Sequence, residues 1–230
     1  MLKVKKLSVE YADGKRAVNH VDFQIMPKDC VALIGANGAG KTTFLLALVG
    51  VLAAKTGEIA IDDFILNKKN MPDFRARVGL VFQNPDDQLF MPNVFEDVAF
   101  GPRNFGYNEE QVKERVHAAL EQLKINHLYR RSPLKLSGGE KRLAAIATVL
   151  SMQPDYLLFD EPTAFLDPKA RRNLQNVITN LPQGKLIATH DLSFAADTCS
   201  RVVILKDGEI VVDGGVDLLK DNALLESAGL

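Results

Sequence analysis

Gly35-Ala36-Asn37-Gly38-Ala39-Gly40-Lys41-Thr42 lies between the apolar run Val31-Ala32-Leu33-Ile34 and the run Phe44-Leu45-Leu46-Ala47-Leu48-Val49. Strand, glycine-rich turn and helix in that order are the context in which Gly, four residues, Gly-Lys-Thr makes a phosphate-binding loop. The reason is local. Glycines let successive backbone N–H groups curl around an anion, and the new helix points its positive end to the same place. Lys41 supplies a charge for the outer phosphates, and the Thr42 hydroxyl suits a magnesium ligand. The pattern predicts that the chain binds a nucleoside triphosphate through Gly35, Ala36, Asn37, Gly38, Ala39, Gly40, Lys41, Thr42 and the adjoining Thr43.

Upstream of the loop, residues 2–11 and 17–26 alternate apolar and polar side chains around Asp13-Gly14-Lys15-Arg16, which predicts an antiparallel hairpin with one buried face. Tyr11 closes the first strand. It is either a strand-end aromatic or a stacking surface for an adenine ring. Downstream, residues 57–63 read as an exposed strand and turn, and residues 77–82 as a short apolar strand ended by Gln83. Between Asn84 and Gly106 the sequence is loop-rich, and Gly101-Pro102 stops a short apolar segment. Val112, Val116, Ala119, Leu120 and Leu123 then recur at helical spacing. Residues 84 to about 135 are therefore expected to form a mostly helical insertion within a single domain spanning 1–230. A second helix opens at Ser137-Gly138-Gly139 and runs to Met152. Apolar strands at 156–159, 186–189 and 202–205, with a helix at 169–180 between the first two, argue for an α/β fold with a mostly parallel sheet.

Several strand ends carry chemistry. Tyr156-Leu157-Leu158-Phe159-Asp160-Glu161 sets two carboxylates where a buried strand stops; Asp160 can hold the magnesium of a phosphate-loop site. Glu161 can take a proton from an attacking water. His190 ends the strand Leu186-Ile187-Ala188-Thr189 on the edge where phosphate chemistry belongs. The Gln83 amide can reach a metal or a water. Leu136-Ser137-Gly138-Gly139-Glu140 is sound capping chemistry for a helix, and also a second anion cradle of free N–H groups. One chain with one phosphate loop has no evident need of two cradles. Two copies facing head to tail would let each cover the other's nucleotide.

The bulk composition narrows the class. With 47% hydrophobic and 25% charged residues the chain reads as a soluble globular protein, and its net charge of −1 speaks against broad attraction to nucleic acid. No run approaches the roughly 18 apolar residues of a membrane span, and Met1-Leu2-Lys3-Val4-Lys5-Lys6 lacks the core of a signal peptide. Work at a membrane would need another protein to dock on. Cys30 and Cys199 are expected to be two buried, reduced thiols.

Taken together, these motifs resemble the nucleotide-binding subunit of an ABC transporter, over essentially the whole chain. In that family's order, Tyr11 matches the aromatic A-loop, residues 35–42 Walker A, Gln83 the Q-loop, residues 136–140 the signature and residues 156–161 Walker B. Leu166-Asp167 match the D-loop and His190 the switch histidine. The resemblance implies a P-loop ATPase with an N-terminal antiparallel β subdomain and an inserted helical one, using ATP and Mg2+. It implies a second ATPase subunit, identical or paralogous, closing on two ATP molecules. Carried over by position, Glu161 is the general base, His190 contacts the γ-phosphate, Gln83 joins the catalytic set, Asp160 and Thr42 serve the metal, and Asp167 couples the two sites. Two departures stand out: Phe165 precedes Leu-Asp where a small residue is common, and Glu140 replaces a frequent glutamine.

The stretch Val81-Phe82-Gln83-Asn84-Pro85-Asp86-Asp87-Gln88-Leu89-Phe90 is similar to the energy-coupling-factor ATPases that drive uptake of cobalt, nickel or vitamins. Residues 94–102 fit the same group. Phe90, Phe95, Phe100 and Phe105 concentrate aromatics there, and integral-membrane components are expected to dock near 84–105. The end at Leu230, without the extension common in vitamin-type members, favours the metal type. The expected setting is the cytoplasmic face of the cell membrane, with no nucleic-acid partner.

Overall fold

The alternating pattern at the start of the chain produces a ten-residue β-ladder partner for the strand that precedes it, and everything else follows in the order the sequence sets. A computed structural model describes all 230 residues. The elements are β1 (Leu2–Glu10), β2 (Arg16–Ile25), β3 (Cys30–Ile34), α1 (Lys41–Leu48), β4 (Thr56–Ile61), β5 (Phe64–Ile65), α2 (Met71–Arg77) and β6 (Val78–Val81). Then come α3 (Val94–Asn104), α4 (Glu109–Gln122), α5 (Gly138–Leu150), β7 (Tyr156–Asp160) and α6 (Pro168–Asn180). The chain finishes with β8 (Gly184–Ala188), α7 (Leu192–Thr198), β9 (Arg201–Lys206), β10 (Glu209–Gly215) and α8 (Asn222–Ser227). These elements fall into two compact units, one of Met1–Leu80, Asp155–Glu161 and Pro182–Leu230, the other of Val81–Pro154 and Pro162–Leu181.

The first unit is an α/β body with two sheets. One is antiparallel in the order β2-β1-β4-β5; the other has the order β10-β9-β3-β8-β7-β6. In the larger sheet β3 pairs in parallel with both β8 and β9, β7 pairs in parallel with β8, and β9 pairs with β10 antiparallel. Every residue of β3, β7 and β8 is buried, Lys185 and Asp160 included, and the apolar runs Cys30–Ile34, 156–159 and 186–188 suit strands covered on both faces. The expected hairpin forms, with Leu2 opposite Ile25 and Glu10 opposite Arg16. Phe23 from β2 meets Phe44 of α1 edge to face at 5.6 Å, tying that hairpin to the helix after the phosphate loop. The short α2 is not announced by apolar spacing. Phe74 alone is fully buried in it, stacked on Phe64 at 6.2 Å.

The second unit is built from α3, α4, α5 and α6. Here the structure corrects one expectation: Gly101-Pro102 does not stop the apolar segment, because α3 runs through it to Asn104. Asn93 caps the helix by accepting from the Glu96 N–H. Proline inside a helix removes a hydrogen bond to the carbonyl four residues back. That carbonyl belongs to Val98, and the Ser151 hydroxyl donates to it at 2.9 Å. A partner distant in sequence therefore supplies what Pro102 lacks. In α4, Val112, Val116, Ala119 and Leu120 are buried at the expected spacing, behind an Asn108–Gln111 capping box.

Candidate functional site

Two glycines show why the phosphate loop has the sequence it has. A Cβ on Gly35 would lie 2.4 Å from the Leu205 carbonyl oxygen; one on Gly40, at φ +108, would lie 2.2 Å from that of Ala17. No other residue fits either position. The loop lies between the end of β3 and the start of α1, where the backbone N–H groups of the first turn have no partner within the helix. Lys41 is buried and folds back over the loop, its ammonium donating to the carbonyls of Gly35 at 2.7 Å and Ala36 at 3.3 Å. The side chain of Thr42 is exposed, whereas Thr43 is buried and its hydroxyl lies 2.6 Å from the Tyr11 hydroxyl. Tyr11 is 41% exposed. Its ring is thus tethered to α1 while keeping an open face.

The ends of β7 and β8 bring the acid–base groups to the same unit. Asp160 is the last residue of β7 and is 6% exposed. Glu161 follows in the left-handed region, at φ +44, a conformation that costs a non-glycine residue on the order of 1 kcal/mol. Its backbone N–H donates to the Ala188 carbonyl at 2.8 Å, which pins the turn to β8. The Glu161 carboxylate is 3.9 Å from the Lys41 ammonium and 2.9 Å from Nδ1 of His190. The carboxylate is buried; the His190 ring is 67% exposed. A buried carboxylate with an open imidazole on one side and a lysine on the other is an arrangement for moving a proton next to a phosphate.

Ser137, Gly138, Gly139 and Asp167 lie together in the other unit. Ser137, Gly139, Glu140, Leu166 and Asp167 line one cleft of about 380 Å³. Ser137 caps α5 in a complete capping box: the Glu140 carboxylate accepts from both the Ser137 N–H and its hydroxyl, each at 2.8 Å. Those two bonds hold the Glu140 carboxyl below its ordinary range. Gly139 packs so tightly on α6 that a Cβ would stand 3.0 Å from that of Ala170. Asp167 caps α6, accepting from the N–H groups of Lys169 and Ala170 at 2.8 and 2.9 Å. Beside it, Phe165 is 91% exposed at φ +63.

The Gln83 side chain is exposed. Its backbone is held by a residue that sequence reasoning missed: Arg142 of α5, 1% exposed, donates to the carbonyls of Phe82 and Gln83 at 2.7 Å each. Gln88 completes the brace, accepting from the Phe82 N–H and donating to the Ala145 carbonyl and the Thr148 hydroxyl. The one available signal was an arginine at a buried register of α5, flanked by Leu143 and Ile146 on the apolar face. Asp97 was also missed. Its buried carboxylate accepts from the N–H groups of Phe90 and Met91, both at 2.9 Å, and so presents the exposed Phe90 ring.

Comparison with known proteins agrees with this geometry. A family model described as ABC transporter matches residues 18–164. A Geobacter sulfurreducens protein named as an ABC transporter ATP-binding protein is 46% identical over 231 residues, covering all of this chain and 93% of that one. The energy-coupling factor transporter ATP-binding protein EcfA of Carboxydothermus hydrogenoformans is 40% identical over 232 residues, covering 100% and 86%. Among solved structures, cbiO1 of Clostridium perfringens, described as part of the ABC transporter complex cbiONQ, superposes with a TM-score of 0.87 at 33% identity, covering 97% of this chain and 92% of that one. A dimeric post-hydrolysis structure of the cassette MJ0796 bound to ADP and Pi superposes with a TM-score of 0.81 at 26% identity, covering 94% and 99%.

Proposed function

Because the chain belongs to the ABC transporter ATP-binding family, and to its energy-coupling-factor type, we propose that it is the ATP-hydrolysing engine of a membrane importer whose cargo is a cobalt or nickel ion. The observation that carries the hydrolytic part is the Glu161 carboxylate, held beside both Lys41 and His190. Residues 35–43 bind the triphosphate, with Tyr11 under the base. Lys41 exchanges its loop carbonyls for phosphate oxygens. Glu161 accepts the proton of the attacking water, and His190 holds that carboxylate in place and faces the γ-phosphate.

The donor set fits magnesium, which takes few protein ligands and keeps the rest for water and phosphate. The exposed Thr42 hydroxyl and the strand-end Asp160 would hold it. When bound, the ion neutralises charge that develops on the phosphoryl oxygens.

Two chains complete the site. Ser137, Gly138 and Gly139 of one copy cover the nucleotide of a second ATPase subunit, and Asp167 links the two centres. A dimeric neighbour, MJ0796, supports that reading. No helix is long and apolar enough to cross a membrane. Attachment to the cytoplasmic face therefore falls to the surface near residues 84–105, where Phe90, Phe100 and Phe105 are exposed. The resemblance of residues 81–102 and the likeness to cbiO1 support an importer of the energy-coupling-factor type.

The test pairs activity with capture. Ser137→Arg is expected to bind ATP as a monomer and to lose hydrolysis; full activity in that variant would overturn the shared site. Affinity purification from native membranes is expected to recover a small integral-membrane partner, and recovery with ribosomes would sink the transporter reading. Uptake driven by the recovered complex decides the cargo: cobalt or nickel accumulation is expected, and biotin accumulation would replace it with a vitamin.

A further inference from the structure

Away from the nucleotide site, the start of β3 and the segment after α7 bring two cysteines together. Cys30 and Cys199 are 169 positions apart in sequence, yet their sulfur atoms lie 3.3 Å from each other. Both are free thiols and both residues are buried, 9% and 8% exposed. We propose that Cys30 and Cys199 form a modification site, a dithiol that hydrogen peroxide converts to an intrachain disulfide.

A main-chain hydrogen bond keeps the two residues side by side. The Ser200 N–H donates to the Cys30 carbonyl at 3.1 Å, which fixes the residue after Cys199 directly against Cys30. On the other side Cys30 is in register with Lys185 of β8, and the Lys185 N–H donates to the Asp29 carbonyl at 2.7 Å. A disulfide requires the sulfur atoms to close to about 2.05 Å, roughly 1.3 Å less than their present separation.

The two thiols are also unequal. The hydrogen bond between the two sulfurs draws Cys30 below its ordinary thiol value and pushes Cys199 up. Lys185, 4% exposed, adds positive charge next to Cys30, while burial draws its own ammonium down. Cys30 is thus the nucleophile and Cys199 the resolving thiol. The Cys30 thiolate attacks one peroxide oxygen, the O–O bond breaks, and the departing hydroxide takes a proton to become water. Cys30 is then a sulfenic acid. Cys199 gives up its proton and attacks the Cys30 sulfur; the S–O bond breaks and the hydroxyl leaves as a second water. Two thiols lose two electrons, and one peroxide gains them.

The closed loop is long, so the bridge constrains the unfolded chain strongly and is expected to raise the thermal midpoint by about 5–10 °C. The experiment treats the full-length protein with hydrogen peroxide and follows intact mass, linked peptides and melting. The expected result is loss of two hydrogens, a peptide joining Cys30 to Cys199, and a raised midpoint, all reversed by dithiothreitol. Cys30→Ser and Cys199→Ser should each abolish the linked peptide. Oxygen addition without linkage, disulfides between chains, or two thiols that stay unreacted would each overturn the proposal. The wild-type masses decide it even where a serine variant fails to fold.

Discussion

Glu161 and His190 are joined twice, since Oε2 of the glutamate lies 2.9 Å from the ring Nδ1 and also accepts from the His190 backbone N–H at 3.3 Å. The main-chain bond fixes where the carboxylate sits, and the ring bond fixes which oxygen turns towards it. Glu161→Gln keeps the shape and the main-chain bond and removes the base. Turnover is expected to fall by about 10²–10⁴-fold while ATP binding persists, measured by phosphate release and nucleotide titration. Near-normal turnover would move the proton acceptor elsewhere.

Phe165 is held at φ +63 with its ring almost wholly in solvent. An exposed aromatic on a strained backbone gains nothing within one chain. Phe165→Gly relieves the backbone, so the monomer should melt no lower than wild type and should gain up to about 1 kcal/mol. If the ring packs against a second copy, ATP-dependent dimers should weaken by about tenfold or more, read by light scattering or analytical ultracentrifugation. Dimers of unchanged strength would leave Phe165 outside the contact.

Glu140 introduces a negative charge next to Ser137, at a helix start read here as a phosphate cradle. Glu140→Gln keeps an oxygen for both Ser137 donors and deletes the charge. ATP-driven association should then need on the order of tenfold less nucleotide. The same residue sets a pH dependence. Its carboxyl is held low in the folded protein, so its capping contribution is present above the unfolded glutamate value and is lost as pH falls through the folded value. At acidic pH the wild type should lose about 1 kcal/mol or less relative to its neutral value, and Glu140→Gln should lose none of it, by denaturant melts across that range.

Asp97 titrates in the opposite sense. Burial raises its carboxyl, the largest influence, against the pull of the Met91 and Phe90 N–H groups. The folded protein therefore holds this proton more tightly than the unfolded chain. Its contribution is greatest below the unfolded aspartate value and declines as pH rises through the folded one. Asp97→Asn keeps an acceptor and should flatten that decline. Asp97→Ala strands two donors at the turn and should cost about 1–3 kcal/mol, with faster amide exchange at Phe90 and Met91. Unchanged exchange there would show that the turn does not depend on the carboxylate.

Residues with a fixed local geometry were legible in the sequence. The phosphate loop, the Ser137 capping box and the strand-end acids are each read from neighbours one to four positions away, which is the reach of backbone hydrogen bonding. The hairpin of β1 and β2 and the buried run of β7 follow from periodicity alone. What was not legible depends on distant partners. Pro102 continues a helix because Ser151 replaces its missing donor; Arg142 is buried because two carbonyls of the Phe82–Gln83 turn receive it. Phe74 anchors a seven-residue helix through a ring on another strand. None of those relations leaves a mark within a short window of sequence.

The Ser151 hydroxyl has a further bearing on how this chain can change over generations. Its bond to the Val98 carbonyl answers the proline at 102, beside a second bond to the Thr148 carbonyl, so the two positions are coupled. Ser151→Ala should be harmful in the present background and nearly silent once Pro102 is replaced by a residue with its own N–H, as a double-mutant cycle would register. A change at Pro102 should therefore lower the cost of a change at Ser151.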